Sequence, residues 1–109
     1  MIHPKLTLPE GSSQVFRSSG RIFEDWDALL TDARDTYKAY PGAEARMIDD
    51  PPRSRTGIEI CFDDRETGLL HWWEMWISID DLKKHPHWER MKSGQGRMQV
   101  IQELVEAQP

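Results

Sequence analysis

The sequence predicts an α+β domain, with an antiparallel sheet that carries helices on one face and further helices at the C-terminal end. Three observations predict this class. Apolar residues recur at spacings of three and four over 23–40, as on one face of a helix. Two β-rich runs, 57–63 and 69–78, are joined by a short polar loop ending in glycine, which is typical of a hairpin. A last amphipathic helical pattern follows a break at 93–96.

Size and cysteine content indicate a single small domain. The chain has 109 residues, enough for one core and too few for two. We interpret 1–12, which contains two prolines and no sustained period, as an extended arm with a short strand near 6–8, and 13–109 as the domain. The single cysteine, Cys61, excludes an intramolecular disulfide.

No stretch approaches the roughly 20 apolar residues of a membrane span, and no signal-like segment is present, so we expect a cytoplasmic protein.

The first half of the domain is expected to be strand, helix and strand. A brief strand at 14–17 precedes the first helix. The residues that form the apolar face of this helix are Phe23, Trp26, Leu30, Ala33, Tyr37 and Tyr40. Acidic residues occupy its first turn, where the helix dipole favours them, and Tyr40–Pro41–Gly42 ends it. A strand over 43–48 follows, closed by a loop at 49–52.

The C-terminal third is expected to be helical with two interruptions. Ser78 can cap the first of these helices, and Asp81 sits where an acidic side chain reaches back to the cap. Pro86 predicts a break near His85 and a restart with the proline in the new first turn. After the second break, at 93–96, the last helix is expected to bury Met98, Ile101, Leu104 and Val105.

Charge and motif content argue against several classes of function. The formal net charge of −5, with scattered basic residues, disfavours a nucleic-acid partner. Gly94–Gln95–Gly96 follows a helix rather than a strand, so no phosphate loop and no cofactor are expected. His71, His85 and His87 have no further ligand at a motif-like spacing, so no metal site is predicted.

The unusual feature is the strand at 69–78, which is bulky on both sides. Five tryptophans are many for this length, and three of them lie between His71 and Trp76. Because a strand alternates faces, one side carries Leu70, Trp72, Glu74 and Trp76 and the other carries His71, Trp73, Met75 and Ile77. If the hairpin forms as predicted, Glu59 and Cys61 lie beside the first set and Ile58, Ile60 and Phe62 beside the second. A slip of one residue would exchange the faces.

The helices can cover only one face of this sheet. The face with Trp72 and Trp76 would then expose a large apolar patch, so we expect a second subunit, a ligand, a partner protein or the N-terminal arm to cover it, with a homodimer favoured. Glu74, flanked by two indoles, is a candidate general base with a raised pKa, and His71 is a second catalytic candidate. The alternatives for Glu74 are an ion pair with an arginine or a carboxylate that reaches past the rings to water. Cys61 is either half of a thiol–imidazole pair or a small buried residue.

Residues 74–85, Glu-Met-Trp-Ile-Ser-Ile-Asp-Asp-Leu-Lys-Lys-His, resemble a recurrent piece of the dimeric α+β barrel superfamily, which contains the antibiotic-biosynthesis monooxygenase-like domains. In that family a strand ending in an acidic residue, Trp and Ser runs into a helix whose early turns carry Leu and His. Tyr40–Pro41–Gly42 resembles the family's Pro-Gly turn. The resemblance implies a ferredoxin-like fold that pairs sheet against sheet as a homodimer.

The chain departs from that family in three places. The linker 42–76 is longer than usual, which predicts an added strand or hairpin, and no final strand follows the last helix. Gln95 lies about where the haem-degrading branch has a histidine, so haem ligation is not implied. Family members include cofactor-independent oxygenases, isomerases and haem-degrading enzymes, and fold resemblance alone does not transfer chemistry.

Three functional hypotheses follow. The chain is a cofactor-independent small-molecule oxygenase, isomerase or ligand binder that uses the Trp72/Glu74/Trp76 face. Alternatively, it is a non-enzymatic interaction protein, such as a bacterial or phage regulator or inhibitor, that uses the same face. A structural dimerisation domain needs no further feature. The sequence does not decide between enzyme and binding protein.

Overall fold

Residues 15–64 and 69–105 are described by a computed structural model of the chain, with side chains for 20–62 and 71–105. The predicted arm at 1–12 and its short strand lie outside these ranges. The described elements, in chain order, are β1 (Val15–Phe23), α1 (Trp26–Ala39), β2 (Glu44–Asp50), β3 (Arg55–Asp64), β4 (Leu69–Ser78), α2 (Ile79–Leu82), α3 (Trp88–Met91) and α4 (Gly94–Leu104), with a 3-10 turn at Pro51–Arg53 between β2 and β3.

The four strands form one open sheet in the order β1-β4-β3-β2. β3 is antiparallel to both β2 and β4, whereas β1 is parallel to β4, so the sheet is mixed rather than entirely antiparallel. The strands β1 and β2 run in the same direction because α1 crosses over between them. The β3–β4 hairpin is inserted between these two edge strands.

The helices share one face of the sheet, which we call the helix-facing face. The described members of its apolar core come from every strand and every helix and include Phe23, Leu29, Ala33, Ala45, Ile58, Ile60, Met75, Ile77, Leu82, Met91, Val100 and Ile101. The opposite side of the sheet is called the distal face here. Cys61 and Trp76 on the distal face are buried but do not belong to this core. The α+β class, the helices on one face and the C-terminal helices are therefore confirmed.

The predicted hairpin and its register are also confirmed. Ile60 lies opposite Trp73 and Cys61 opposite Trp72, so the two sets of side chains fall on the expected faces. Gly57 is required where the two strands approach closely, because a Cβ at this position would overlap the Met75 carbonyl oxygen. The added strand predicted for the linker is present. The element order differs from β-α-β-β-α-β because the fourth strand precedes the C-terminal helices.

The beginning of the domain differs from the prediction at one boundary. The first strand extends to Phe23 rather than ending near 17, because all nine residues of β1 pair with β4. Phe23 is thus the last strand residue and not the first residue of the helical face. The Asp25 side chain caps α1 by accepting a hydrogen bond from the Ala28 N–H at 3.1 Å. The predicted end of this helix is confirmed, since Gly42 follows it with a φ of 84°.

Two of the C-terminal helices, α2 and α4, begin at serine caps. The Ser78 hydroxyl accepts from the Asp81 N–H at 3.1 Å, which confirms the predicted cap, and Ser93 accepts from the Gly96 N–H at 3.0 Å. The predicted restart at Pro86 is wrong by two residues, because α3 begins at Trp88. The break at 93–96 is the junction between α3 and α4, with its two glycines already inside α4.

The buried face of α4 also differs from the prediction. Met98 and Leu104 were expected in the core but are 47% and 49% exposed, whereas Val100 is buried. Gly96 explains the difference, because a Cβ there would overlap the Arg90 carbonyl oxygen of α3. This close contact turns the Gly96 side of α4 inward. Within the two described ranges, no helix combines the length and the apolarity needed to cross a bilayer.

Candidate functional site

The structure brings most of the predicted site residues together on the distal face. Glu59 lies directly opposite Glu74, and Cys61 lies opposite Trp72. Trp76 follows in the next row, so strand alternation places Trp72, Glu74 and Trp76 on one side of β4. Leu70 belongs to the same strand, but its side chain lies outside the described set.

The two edge strands complete the distal face with residues that the sequence analysis missed. β1 places Gly20 beside Glu74 and Ile22 beside Trp76. β2 places Arg46 beside Glu59. The described charged groups on this face are the carboxylates of Glu44, Asp50, Glu59 and Glu74 and the guanidinium groups of Arg46 and Arg55. The face is therefore acidic on balance and apolar at one end, where Ile22 is 62% exposed.

Glu74 is a polar group at the centre of the described distal face. Its side chain is half-buried, and it has no hydrogen-bond or ion-pair partner among the described residues, so the predicted ion pair with an arginine is not found there. Gly20 is its neighbour on the β1 side, and a Cβ built on Gly20 would meet no atom within 4 Å. Glu74 thus borders a gap above Gly20, which we call the Gly20 gap, with Ile22 and Trp76 in the next row.

Trp76, which lies beside Ile22, is held by charged neighbours on β2 and β3. The Arg55 guanidinium carbon lies 4.2 Å from the centroid of the Trp76 ring, a cation–π contact. Asp50 accepts hydrogen bonds from Arg53 at 2.8 Å and from Arg55 Nε at 2.9 Å. The hydrogen bond from Arg53, supported by the one from Arg55, lowers the pKa of the Asp50 carboxyl. The indole is therefore held on one side by a paired arginine.

Cys61 is a poor nucleophile in this environment. Its side chain is buried, and desolvation, reinforced by the nearby Glu59 carboxylate, raises the pKa of the thiol to about 12. The thiol is accordingly protonated at neutral pH. His71 cannot form the predicted thiol–imidazole pair with it, because β4 directs His71 to the helix-facing face.

His71 is also separated from Glu74, the other catalytic candidate. The His71 ring is buried and stacks on Phe62, with centroids 4.7 Å apart and ring planes 5° from parallel. Tyr40 continues the stack beyond Phe62 at 3.7 Å, and Trp73 lies 6.4 Å from His71. The two catalytic candidates therefore lie on opposite faces of the sheet, and the described geometry does not join them in one site.

His85 and His87 lie in the segment that precedes α3. His85 Nδ1 accepts a hydrogen bond from the His87 backbone N–H at 3.0 Å, and its Nε2 lies 3.0 Å from Asp27 Oδ1. Because Nδ1 is an acceptor, the ring proton is on Nε2 and is donated to the Asp27 carboxylate. In the part of the chain that the structure describes, no group of three His, Cys, Asp or Glu side chains is arranged to hold a metal ion.

Comparisons with known families, with curated proteins and with solved structures give no relative from which chemistry could be inferred. The resemblance to the dimeric α+β barrel superfamily and the expected homodimer therefore stay predictions. Searches with this chain found no matching protein-family model, no matching curated protein and no matching solved structure.

Proposed function

We propose that this chain is a protein-interaction module whose distal face binds a partner segment that carries an arginine or lysine side chain. Glu74 is the observation that carries this proposal. It is a half-buried carboxylate without a hydrogen-bond or ion-pair partner among the described residues, and it borders a gap. A partly desolvated carboxylate gains more from a cation than an exposed one, because water screens the interaction less.

The surroundings of Glu74 fit a cationic side chain with an aliphatic stem. Gly20 leaves room for the stem, and the exposed Ile22 offers it an apolar surface. Trp72 precedes Glu74 by two residues on the same side of β4, and its indole adds a ring surface of the kind that cations contact. The net charge of −5 would also speed the approach of a basic partner.

The Glu74 carboxylate favours a different protein over a second copy of the chain. A two-fold interface uses the same patch of both copies. A two-fold axis close to Glu74 would bring the Glu74 carboxylates of the two copies together without a compensating cation. A basic partner supplies that cation. The homodimer expected from the sequence is the competing outcome, and light scattering on the purified chain distinguishes the two.

Binding is also better supported than catalysis at this face. His71 lies on the opposite side of the sheet, and the Cys61 thiol is protonated at neutral pH, so neither assists Glu74 in proton transfer or nucleophilic attack. The small-molecule hypothesis needs such a second group. The interaction hypothesis needs only the acidic and aromatic surface.

The test is a selection of random dodecapeptides displayed on phage against the immobilised chain. We expect the selected peptides to contain arginine or lysine and to bind more weakly as salt rises to about 0.5 M. Glu74→Gln, which keeps the shape and removes the charge, should weaken the best peptide roughly tenfold. Gly20→Leu, which fills the Gly20 gap, should abolish binding, and Glu24→Gln, an exposed carboxylate outside the face, is the matched control.

Three results would count against the proposal. The first is the absence of enrichment in a selection where a control target yields binders. The second is a set of peptides that bind the wild-type chain and the Glu74→Gln and Gly20→Leu variants equally. The third is a stable symmetric dimer that binds no peptide and that dissociates in the Gly20→Leu variant. That result would assign the distal face to self-association.

A further inference from the structure

The strand β1 forms one margin of the sheet and is paired along one of its two sides. All nine of its residues pair in parallel with β4, without a bulge. Among the residues that the structure describes, no strand pairs with the outer side of β1. Successive residues of a strand direct their N–H and C=O groups to alternate sides, so about half of the residues of β1 present both groups outward. We call this outer side the β1 edge.

The other outer strand, β2, is protected in ways that β1 is not. It ends in two aspartates, and Pro51 and Pro52, which follow them, have no N–H to donate. The helix α4 lies against this strand, since Arg97 Nη2 is 3.4 Å from Asp49 Oδ1. Proteins use charged side chains, prolines and covering helices to keep strand edges from pairing. β1 contains no proline, and its Ile22 is 62% exposed, so the β1 edge is the better template for an added strand.

The charged side chain of Arg21 on β1 is engaged within the chain. Its guanidinium carbon lies 4.6 Å from the centroid of the Phe23 ring, and its Nη1 lies 3.6 Å from Asp32 Oδ2 on α1. Both contacts are on the helix-facing side of β1. The distal side of the β1 edge is therefore left to Gly20 and Ile22.

A strand added at the β1 edge would lie two strand spacings from β4. Neighbouring strands are about 4.8 Å apart, so the added backbone would be roughly 10 Å from the backbone of β4. Gly20 lies between them, beside Glu74, and a Cβ built on Gly20 would meet no atom within 4 Å. A long basic side chain on the added strand can therefore cross above Gly20 to the Glu74 carboxylate. Its aliphatic stem fills the Gly20 gap.

We propose that the partner segment binds as an additional β-strand along the β1 edge, with its arginine or lysine side chain crossing Gly20 to Glu74. This inference rests on the function proposed above and adds the conformation and position of the partner. Backbone hydrogen bonds to the β1 edge supply affinity, and the alternation of side chains supplies specificity. The partner is accordingly extended, with an apolar residue two positions from its basic residue, where it meets the exposed Ile22.

The probe is a synthetic heptapeptide, acetyl-Thr-Val-Thr-Arg-Thr-Val-Thr-amide, which alternates as a strand does and carries one central arginine. Titration of the ¹⁵N-labelled full chain should give a dissociation constant of about 0.1–1 mM at low salt. Methylating the arginine amide nitrogen blocks one side of the peptide backbone, and methylating the next threonine amide nitrogen blocks the other. One of these two matched peptides, and not the other, should bind at least about tenfold more weakly than the parent.

Nuclear Overhauser effects and a charge exchange locate the added strand. With labelled chain and unlabelled heptapeptide, the contacts should join the peptide backbone to the backbone amides of β1 and not to those of β2. Citrulline in place of the central arginine keeps the length and removes the charge, so it should weaken binding roughly tenfold, as should Glu74→Gln. The two changes together should cost little more than either alone, because they remove the same interaction.

The failure of this inference is distinguishable from the failure of the proposed function. If Glu74→Gln weakens binding but both methylated peptides bind as the parent does, the added strand is overturned and the proposed function stands. The same conclusion follows if the contacts fall on β2, or if the heptapeptide does not bind while selected dodecapeptides do. If Glu74→Gln affects the binding of no peptide, both proposals fail.

Two other occupants of the β1 edge are tested in the same experiments. Contacts between β1 and a second copy of the chain, detected in a mixture of labelled and unlabelled protein without peptide, would assign the edge to self-association. Contacts between β1 and residues 1–14 of the same chain would assign the edge to that segment. Either result overturns the proposal.

Discussion

The two faces of the sheet are built from the same strands but are closed in different ways. On the helix-facing side, β3 and β4 present Ile60 and Ile77, which are fully buried under apolar helix residues. On the distal side the same strands present Glu59 and Glu74 between indole rings. One face is thus closed by non-directional apolar contact, and the other combines rings with charges.

This difference separates what stabilises the domain from what gives it specificity. Apolar contacts tolerate many partners of similar shape, whereas charged groups discriminate because a wrong neighbour leaves them unpaired. The distal face holds most of the charge of the sheet, and its half-buried Glu74 has no ion pair in the described structure. Stability should therefore depend mainly on the helix-facing face, and recognition on the distal one.

The largest expected difference between the two faces is in the free energy of unfolding, tested with one isoleucine from each face. Ile60→Ala removes a fully buried side chain and should lower the free energy of unfolding by about 2–5 kcal/mol. Ile22→Ala removes a side chain that is 62% exposed and should cost less than about 1 kcal/mol. Urea denaturation measures both. Equal losses would show that the distal face contributes as much to the core as the helix-facing face does.

Two strand glycines on the distal face test where the sheet tolerates an added methyl group. Gly57→Ala should cost about 1–3 kcal/mol, because the new Cβ would overlap the Met75 carbonyl oxygen and force β3 and β4 apart. Gly20→Ala meets open space, so its effect should stay within about 0.5 kcal/mol. Thermal unfolding of the two variants makes the measurement. If Gly20→Ala proved the more damaging change, the Gly20 gap would not exist in solution.

The smallest effect is a pH dependence specific to the distal face. The pKa of the Cys61 thiol is raised from 9.0 to about 12 in the folded chain. The unfolded thiol therefore ionises first, so this contribution to stability is complete below the unfolded pKa and is lost as the pH rises toward the folded pKa. Cys61→Ala should flatten the dependence measured by urea titration between about pH 8 and pH 10.5. If the stability of the wild-type chain changed with pH as little as that of the variant, the raised pKa of the Cys61 thiol would be contradicted.

The hairpin and its faces could be predicted because their causes are local. Apolar and aromatic residues alternate along β3 and β4, the connecting loop is short, and a shift of register would bury Glu59 and Glu74 in the core. The helix cap at Ser78 was predictable for the same reason, since a cap involves residues only three positions apart.

The features that were not predicted depend on distant contacts. β1 has weak alternation, and α1, β2 and β3 separate it in the sequence from its partner β4, so neither its length nor its parallel direction follows from its own residues. The face of α4 depends on the contact of Gly96 with Arg90. The Gly20 gap arises from the absence of a side chain on one strand beside a carboxylate on another, a feature that only the assembled sheet reveals.

The parallel pairing of β1 with β4 also has a kinetic consequence. β2, β3 and β4 are consecutive antiparallel neighbours and can assemble from local contacts, whereas β1 must close a long loop before it pairs. As an edge strand, β1 is held by hydrogen bonds on one side only within the described sheet, so it should detach before the other strands in native-state fluctuations. Gly20 and Ile22 leave the distal face with it. Any ligand that requires both sides of the Gly20 gap is therefore thermodynamically linked to the docking of β1, and its binding should slow amide exchange along that strand.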